Sequence, residues 1–360
     1  MKIGFDARMV THPGIGRYIE CLLPELIKQA PDDEFMLFGD PEALRTVSLA
    51  DNVKVLKWDA PIYSVSEQLF DLYFPQKIDV LHVPHFNIPV LSAKKLVVTV
   101  HDLIYLLFAR SVPSPAARHY ASFMIGTSVK KSRKVITVSN HTKSDIVKFF
   151  GEKYAAKTEV IYEAPGKAFF RVSDKARIAD VKCRYRLEDK MILYVGSIKP
   201  HKNIETLIKV FALIKGWGVP HQLVMCGRWD NKEDYLKEKL SDRNIRYLGE
   251  VPTEDLVVLY SMSDALVHLS LYEGFGLTVL EAMRCGIPVI VSDTSSLPEI
   301  VGSSAFVVSP NNIQQIADTL YNVLVNSEIR NGMVEAGYEN VKRFSWQETA
   351  RRTLEVYRSV

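Results

Sequence analysis

Two glutamates flank a glycine loop in the run Leu271-Tyr272-Glu273-Gly274-Phe275-Gly276-Leu277-Thr278-Val279-Leu280-Glu281. The run reads as strand, loop and a short helix from about Gly276 to Cys285, closed by Gly286 before a Pro-led strand. Glu281 is expected two turns into that helix. Were the whole interval helical, the carboxylates would stand ~12 Å apart along its axis. That is wider than the paired carboxylates of a glycosidase. The spacing suits two ends of one extended ligand, with the amides of Gly274, Phe275 and Gly276 turned toward an anion between them.

A second set of candidates lies upstream, in Tyr194-Val195-Gly196-Ser197-Ile198-Lys199-Pro200-His201-Lys202-Asn203, ahead of a helical run over residues 204–214. A glycine turn carrying Lys199 and Lys202 at a helix start suits a diphosphate, because point charges and helix dipole act together. Cys226-Gly227-Arg228 places another cation after a strand. Each of these alone would be an ordinary surface cation; their recurrence at equivalent strand ends is what points to a ligand. Two further signals fall in the first half. Gly14-Ile15-Gly16-Arg17 follows the first strand and precedes a helical run over 18–29, so its backbone could approach an anion. It is not a dinucleotide fingerprint, since Ile19 stands where a third glycine belongs. Leu96 to Val100 is a buried strand that ends in His101-Asp102, a pairing more often structural than catalytic, but placed at a carboxyl strand end.

The elements that must position these residues come in two series. Apolar, β-branched runs at 2–5, 35–38, 53–56, 80–83, 96–100, 134–138 and 159–162 alternate with helical stretches. After a basic helical stretch at 173–186, the alternation restarts with 191–195, 222–226, 245–248, 265–269, 288–291 and 305–308. Continuous apolar runs suit parallel strands buried on both faces. The expected fold class is therefore α/β, with two Rossmann-like doubly wound domains in tandem. The boundary is placed at Ala164-Pro165-Gly166, giving domains 1–165 and 166–344. Residues 345–360 form a terminal helix, capped by Ser345 with Glu348 completing a capping box.

Composition bounds the rest. The 360 residues are 47% hydrophobic and 24% charged, enough for sizeable cores. Net charge of +3 gives no reason to expect a nucleic-acid partner. Cys21, Cys183, Cys226 and Cys285 form no CxxC pair, so neither disulfides nor zinc are expected, and all four are read as reduced core residues. The N-terminal run reads as a strand rather than a signal peptide, which predicts a cytoplasmic protein. Residues 101–150 carry eight basic side chains, Arg110, Arg118, Lys130, Lys131, Arg133, Lys134, Lys143 and Lys148, against Asp102 and Asp145. A solvated helix face accounts for such a run; a surface for anionic lipid head groups or a phosphorylated acceptor is the sharper alternative.

Taken together, Glu273 to Glu281 as an E-x7-E motif, Gly14-x-Gly16, His101-Asp102 and Lys202-Asn203 resemble the retaining glycosyltransferases of family 4. Nearly the whole chain takes part, most specifically residues 194–299. The resemblance implies the GT-B fold, with two Rossmann-like domains facing across a cleft and the terminal helix, including Trp346, returning to the first. It implies an acceptor-binding first domain and a nucleotide-sugar-binding second. By position Lys202 would hold the diphosphate, Glu281 the ribose hydroxyls and Glu273 the donor sugar. Amides of Phe275, Gly276 and Leu277 would assist, Gly16 would approach the donor phosphate, and His101 would lie near the transferred sugar. Ser197 stands where many members have Arg, and His201 where others do, so the second diphosphate cation is open among Lys199, His201 and Arg228. Tyr162-Glu163-Ala164-Pro165 replaces a common Pro-Asn-Gly turn.

The resemblance further implies no metal and no other cofactor. Transfer would proceed by same-face substitution, for want of a placed nucleophile. The Lys199-Pro200-His201-Lys202-Asn203 form is similar to bacterial mannosyl- or rhamnosyl-type transferases of surface polysaccharide assembly, which suggests mannose from GDP-mannose. The implied acceptor is a glycan or lipid-linked molecule at the inner membrane face. A UDP-sugar donor, a GT-B sugar-nucleotide epimerase and a catalytically silent nucleotide-binding protein remain as alternatives.

Overall fold

The structure is a computed structural model spanning residues 1–360. Its described residues are 1–45, 47, 50–108, 114–229, 234, 236–237, 240 and 242–360. Arg110 lies outside them. Contacts divide the chain into one unit of Met1–Glu163 with Ser345–Val360 and another of Ala164–Phe344.

In the first unit the strands are β1 (Lys2–Asp6), β2 (Glu34–Gly39), β3 (Val53–Lys57), β4 (Val80–Val83), β5 (Leu96–Val100), β6 (Lys134–Thr137) and β7 (Thr158–Val160). They form a parallel sheet in the order β3-β2-β1-β4-β5-β6-β7. The second unit has β8 (Met191–Val195), β9 (Gln222–Cys226), β10 (Ile245–Gly249), β11 (Ala265–His268), β12 (Val289–Ser292) and β13 (Phe306–Val308), in the parallel order β10-β9-β8-β11-β12-β13. Every residue of β4, β5, β11 and β12 is buried. Both faces of these central strands are covered, which is why their sequences run apolar instead of alternating. The edge strands β3 and β13 are largely exposed or half-buried.

Strand order reverses once in each sheet, between β1 and β4 and between β8 and β11. Chain crossing to opposite faces at such a point opens a crevice beyond the carboxyl strand ends. Loops after β1 and β4 border it in the first unit. In the second they are the loops after β8 and β11, which carry Lys202 and Glu273.

The helix after β1 spans Ile15–Gln29, three residues earlier than the sequence suggests, so Gly16 lies in its first turn. A Cβ there would come 2.2 Å from the Val10 carbonyl oxygen, and the Gly16 N–H is already bonded to the His12 carbonyl at 2.7 Å. The close Val10 carbonyl requires glycine here for packing, whatever its bearing on a phosphate. Gly14 caps the helix at φ 83°.

The terminal helix, Trp346–Arg358, packs beside Ile15–Gln29 in the first unit. Ser345 Oγ accepts the Glu348 N–H at 3.1 Å. The Glu348 carboxylate is bonded by Arg351. Farther along, the Tyr357 hydroxyl meets Nδ1 of fully buried His82 at 2.6 Å, whose Nε2 lies 2.8 Å from Thr99 Oγ1; Tyr18 joins Thr99 at 3.2 Å. Four polar groups from four elements thus satisfy one another inside the core. Cys226 and Cys285 are buried as expected, but Cys183 is exposed and Cys21 half-buried on helix surfaces. Among the described residues no helix is long and apolar enough to cross a membrane.

Removing one member of a buried polar chain leaves its partner desolvated and unbonded. Tyr357→Phe should therefore lower stability by about 1–3 kcal/mol, read as an earlier urea midpoint by circular dichroism. An unchanged midpoint would show that the His82 contact contributes nothing.

Candidate active site

In the second unit, β8 ends in Gly196 at φ 153° and β9 in Gly227 at φ 136°. A Cβ on Gly227 would lie 2.1 Å from the Gly196 carbonyl oxygen, so the two turns can only abut with glycine there. Ile198 N–H donates to the Arg228 carbonyl at 2.8 Å, which carries the β8 segment on past the sheet. A turn of 3-10 helix, Pro200–Lys202, then leads through Asn203 into the helix Ile204–Gly216.

Lys202 emerges from that turn and meets Glu273, with Nζ 2.5 Å from Oε1 and both side chains largely buried. The same Oε1 lies 2.6 Å from His268 Nε2 and 2.6 Å from Ser270 Oγ. Burial pushes the Glu273 carboxyl up, but the Lys202 charge and the His268 hydrogen bond more than offset it and hold it well below the usual range. All three donors crowd onto Oε1. Oε2 has no hydrogen-bond partner among the described residues.

The Glu273 loop is held from β12. Ser295 Oγ accepts the Glu273 N–H at 2.9 Å, Ser296 donates to the carbonyls of Glu273 at 3.0 Å and Phe275 at 2.9 Å, and Ser292 and Thr294 both donate to the Ser270 carbonyl. The loop ends at Gly276, φ 113°, which caps the helix Leu277–Arg284 without a side-chain cap. The leading amides of that helix, at Leu277 and Thr278, therefore face outward from an uncapped, positive helix end. Glu281 lies about one turn into the helix, not two as the sequence suggested, and is almost fully buried with Tyr260 donating to Oε2 at 3.2 Å. Gly286, φ 75°, follows the helix and returns its N–H to the Met283 carbonyl at 3.0 Å.

The structure thus gathers Lys202, Glu273, Gly274, Phe275, Gly276 and Leu277 beside the second crevice, with Ser197 and half-buried Lys199 on the same β8 turn and exposed Arg228 on the abutting β9 turn. His201 is corrected. It is buried, and desolvation together with the Lys202 charge pushes its imidazole down to about 3, so it brings no charge to a phosphate. Lys199 and Arg228 remain as second cations.

His101, in the first unit, does not pair with Asp102. Asp102 instead accepts the Ile104 N–H at 2.9 Å. His101 Nδ1 lies 3.0 Å from Glu163 Oε1 and Nε2 lies 3.1 Å from the Pro84 carbonyl. Both partners are acceptors, so both nitrogens carry protons. Burial lowers this histidine, but the Glu163 hydrogen bond and charge outweigh it and raise it. The two acceptors and the raised pKa both favour the protonated ring.

Sequence reading missed His268, Ser270, Glu163, Tyr260 and the hydroxyl run after β12. The run itself, Ser292, Thr294, Ser295 and Ser296 at a carboxyl strand end, was the available signal. Among the described residues no group of three or more His, Cys, Asp or Glu is arranged to hold a metal ion.

Residues 14–164 match the family model described as "Glycosyltransferase Family 4", and residues 180–340 match that of "Glycosyl transferases group 1". The chain belongs to these glycosyltransferases and is an enzyme of the GT-B type. It is 28% identical to the O-antigen chain mannosyltransferase B of Escherichia coli, across 99% of this chain and 100% of that protein. It is also 28% identical to the O-antigen chain mannosyltransferase RfbU of Salmonella typhimurium, across 84% and 82% of the two chains. Sucrose-phosphate synthase from Thermosynechococcus elongatus shares the fold with a TM-score of 0.79 at 21% identity, over 100% of this chain and 98% of that one.

Three histidines, His82, His85 and His201, are pushed by burial from 6.5 to about 3. Between those values the unfolded chain holds protons that the folded chain does not, so stability rises with pH across the window and is lost as pH falls through it. Near pH 5 each costs up to about 2 kcal/mol. His101 acts oppositely, stabilising below its ordinary pKa and losing that contribution as pH rises through its raised value. With three against one, the urea midpoint should fall on going from about pH 7.5 to about pH 5; a rise would refute this balance.

Proposed function

We propose that this glycosyltransferase is retaining and metal-independent, and moves mannose from GDP-mannose to a glycan or lipid-linked acceptor in surface polysaccharide assembly. The observation that carries the reading is the Lys202–Glu273 pair at the switch point of the second sheet, beside the uncapped helix end at Gly276–Thr278. The names of the two mannosyltransferase relatives support the sugar and the pathway class.

In this reading the bond from the anomeric carbon to the diphosphate oxygen breaks as the acceptor oxygen adds on the same face. A phosphate oxygen takes the acceptor's proton. Charge develops on the leaving diphosphate, where Lys202, Lys199 or Arg228, and the amides of Gly276 and Leu277 stabilise it, a task worth several kcal/mol. These fixed cations and dipoles take the place a divalent ion would fill. Oε2 of Glu273 accepts from a donor-sugar hydroxyl and Glu281 from the ribose. His101 adds a fixed positive charge after β5 of the first unit.

The test is a calorimetric titration with GDP, UDP, ADP and their common sugar conjugates in EDTA, followed by turnover. Selective binding near micromolar, roughly −8 kcal/mol, is expected for GDP-mannose. Lys202→Ala should lower kcat by about 10²–10³ with donor saturating. Near-normal kcat would remove Lys202 from leaving-group stabilisation, preference for a UDP-sugar would replace the donor, and nucleotide-sugar interconversion without acceptor would indicate an epimerase.

A cytoplasmic protein peripheral to the inner membrane face goes with such an acceptor. Supporting this are exposed Val65, Leu72, Tyr73, Leu91 and Phe123 in the first unit. Asp71 bonds Ser92 and Ala93, and Lys131 bonds the Val90 carbonyl, so the Leu72 and Leu91 segments adjoin a basic helix end. The protein should sediment with vesicles containing anionic lipid and lose that binding with Leu72→Glu and Leu91→Glu combined; sedimentation unaffected by both changes would place the contact elsewhere.

A further inference from the structure

The loops after β1 and β4 border the switch point of the first sheet, and a group of aromatic side chains surrounds the second of them. Tyr63 is the most unusual. It is 46% exposed and sits at φ 69°, in a turn where Ser64 N–H bonds the Pro61 carbonyl at 3.2 Å. That third turn position normally belongs to glycine. A tyrosine there costs about 1–2 kcal/mol of backbone strain, and strain of this kind persists where a side chain is needed in a fixed place.

Its surroundings fix the ring. Tyr120, 37% exposed, stands edge-on to Tyr63 with centroids 5.8 Å apart. Phe86 lies 6.3 Å from Tyr63 and Tyr105 5.7 Å from Phe86. Asn87 N–H donates to His85 Nδ1 at 3.3 Å, which leaves the proton of this buried neutral imidazole on Nε2, directed at the Tyr63 hydroxyl 3.5 Å away. The Tyr120 hydroxyl donates to Asn87 Oδ1 at 2.7 Å, and the Asn87 amide bonds Glu67.

Beneath lies a buried charge group with an excess of carboxylates. Arg8 bonds Asp6 at 2.7 Å and Glu67 at 3.1 Å, two carboxylates against one guanidinium. A patch with that base repels a phosphate. Exposed aromatic faces ringed by hydroxyl and amide groups suit instead a neutral ring with an apolar C–H face and equatorial hydroxyls. The patch is continuous with His101, because the Pro84 carbonyl that holds His101 belongs to the residue next to His85.

We infer that Tyr63 and Tyr120, backed by His85, Asn87 and Tyr105, form the subsite for a neutral pyranose ring of the acceptor. This rests on the transferase reading given above for the acceptor's role, but the binding itself does not require that the donor be correct. The ring stacks on Tyr63, and its hydroxyls exchange hydrogen bonds with the tyrosine hydroxyls and the Asn87 amide.

Saturation-transfer NMR with methyl α-mannopyranoside and methyl β-glucopyranoside tests it on the full chain. Tyr63→Gly removes the ring while relieving the strained turn, so lost binding cannot be assigned to misfolding. We expect transfer from aromatic protons to at least one pyranoside in the wild type, weakened about fivefold by Tyr63→Gly or Tyr120→Leu, the equivalent of one aromatic contact, and retained by Tyr63→Phe. Nucleotide titration should be unchanged in all three variants. Signals insensitive to Tyr63→Gly, no signal from either pyranoside, or displacement of the pyranoside by inorganic phosphate would each overturn the assignment. Failure of every nucleotide to bind while the Tyr63 effect persists would refute the donor reading alone.

Discussion

Lys202 and Glu273 lie 71 positions apart and meet at 2.5 Å, mostly shielded from water. A buried ion pair is not by itself stabilising, since desolvating two charges consumes most of what their attraction returns. Its value is positional. The pair exists because two parallel strands, β8 and β11, are sheet neighbours although the chain visits β9 and β10 between them. That reversal sets the β8 and β11 loops beside each other with no strand between. Everything else in the second unit can be read as holding this arrangement. Gly196 and Gly227 let the β8 and β9 turns abut, His268 and Ser270 supply further donors to the same carboxylate oxygen, and the serines after β12 fix the backbone that presents it.

The serine contacts also explain why a glycine-bearing loop can be rigid. Gly274 and Gly276 give the chain freedom to turn sharply into a helix, and freedom of that kind costs entropy when it is lost. Ser295, accepting the Glu273 N–H, and Ser296, donating to the Glu273 and Phe275 carbonyls, hold the backbone on both sides of Gly274 and remove that freedom before any ligand arrives. A site fixed in advance loses less on binding, and its charges need not reorganise as a leaving group departs.

Much of this was legible in the residues. Continuous Val, Ile and Leu runs give away strands buried on both faces, and most observed strand boundaries fall within one residue of the reading, with β7 ending two earlier. Glycines followed by lysines and glutamates at strand ends marked residues that the fold brings together, Lys202 and Glu273 among them, because a parallel sheet leaves its carboxyl edge for ligands. What was hidden depends on contacts distant in sequence. His201 looks like a cation beside Lys202, and only its burial makes it neutral. His101 and Asp102 look like a pair, but the histidine meets Glu163, 62 positions on, while Asp102 bonds the Ile104 N–H. That Gly16 packs against the Val10 carbonyl is likewise invisible until the fold brings the two together. The left-handed turn at Tyr63 leaves no trace in sequence, because the residue there is one that normally avoids it.

The first unit is built from two separated stretches, Met1–Glu163 and Ser345–Val360. On the ribosome, the His82 ring and the surface of the helix Ile15–Gln29 are therefore made early, and the helix that covers them is made only after the second unit. The whole second unit must emerge in between, at a synthesis rate of about 5–20 residues per second. For those seconds the first unit lacks its covering helix, with an unbonded imidazole and an apolar helix flank open to water and to chaperones. The second unit has no such debt, since Ala164–Phe344 is continuous and can close as soon as it is clear of the tunnel. In this chain the half made second is the half that can finish first.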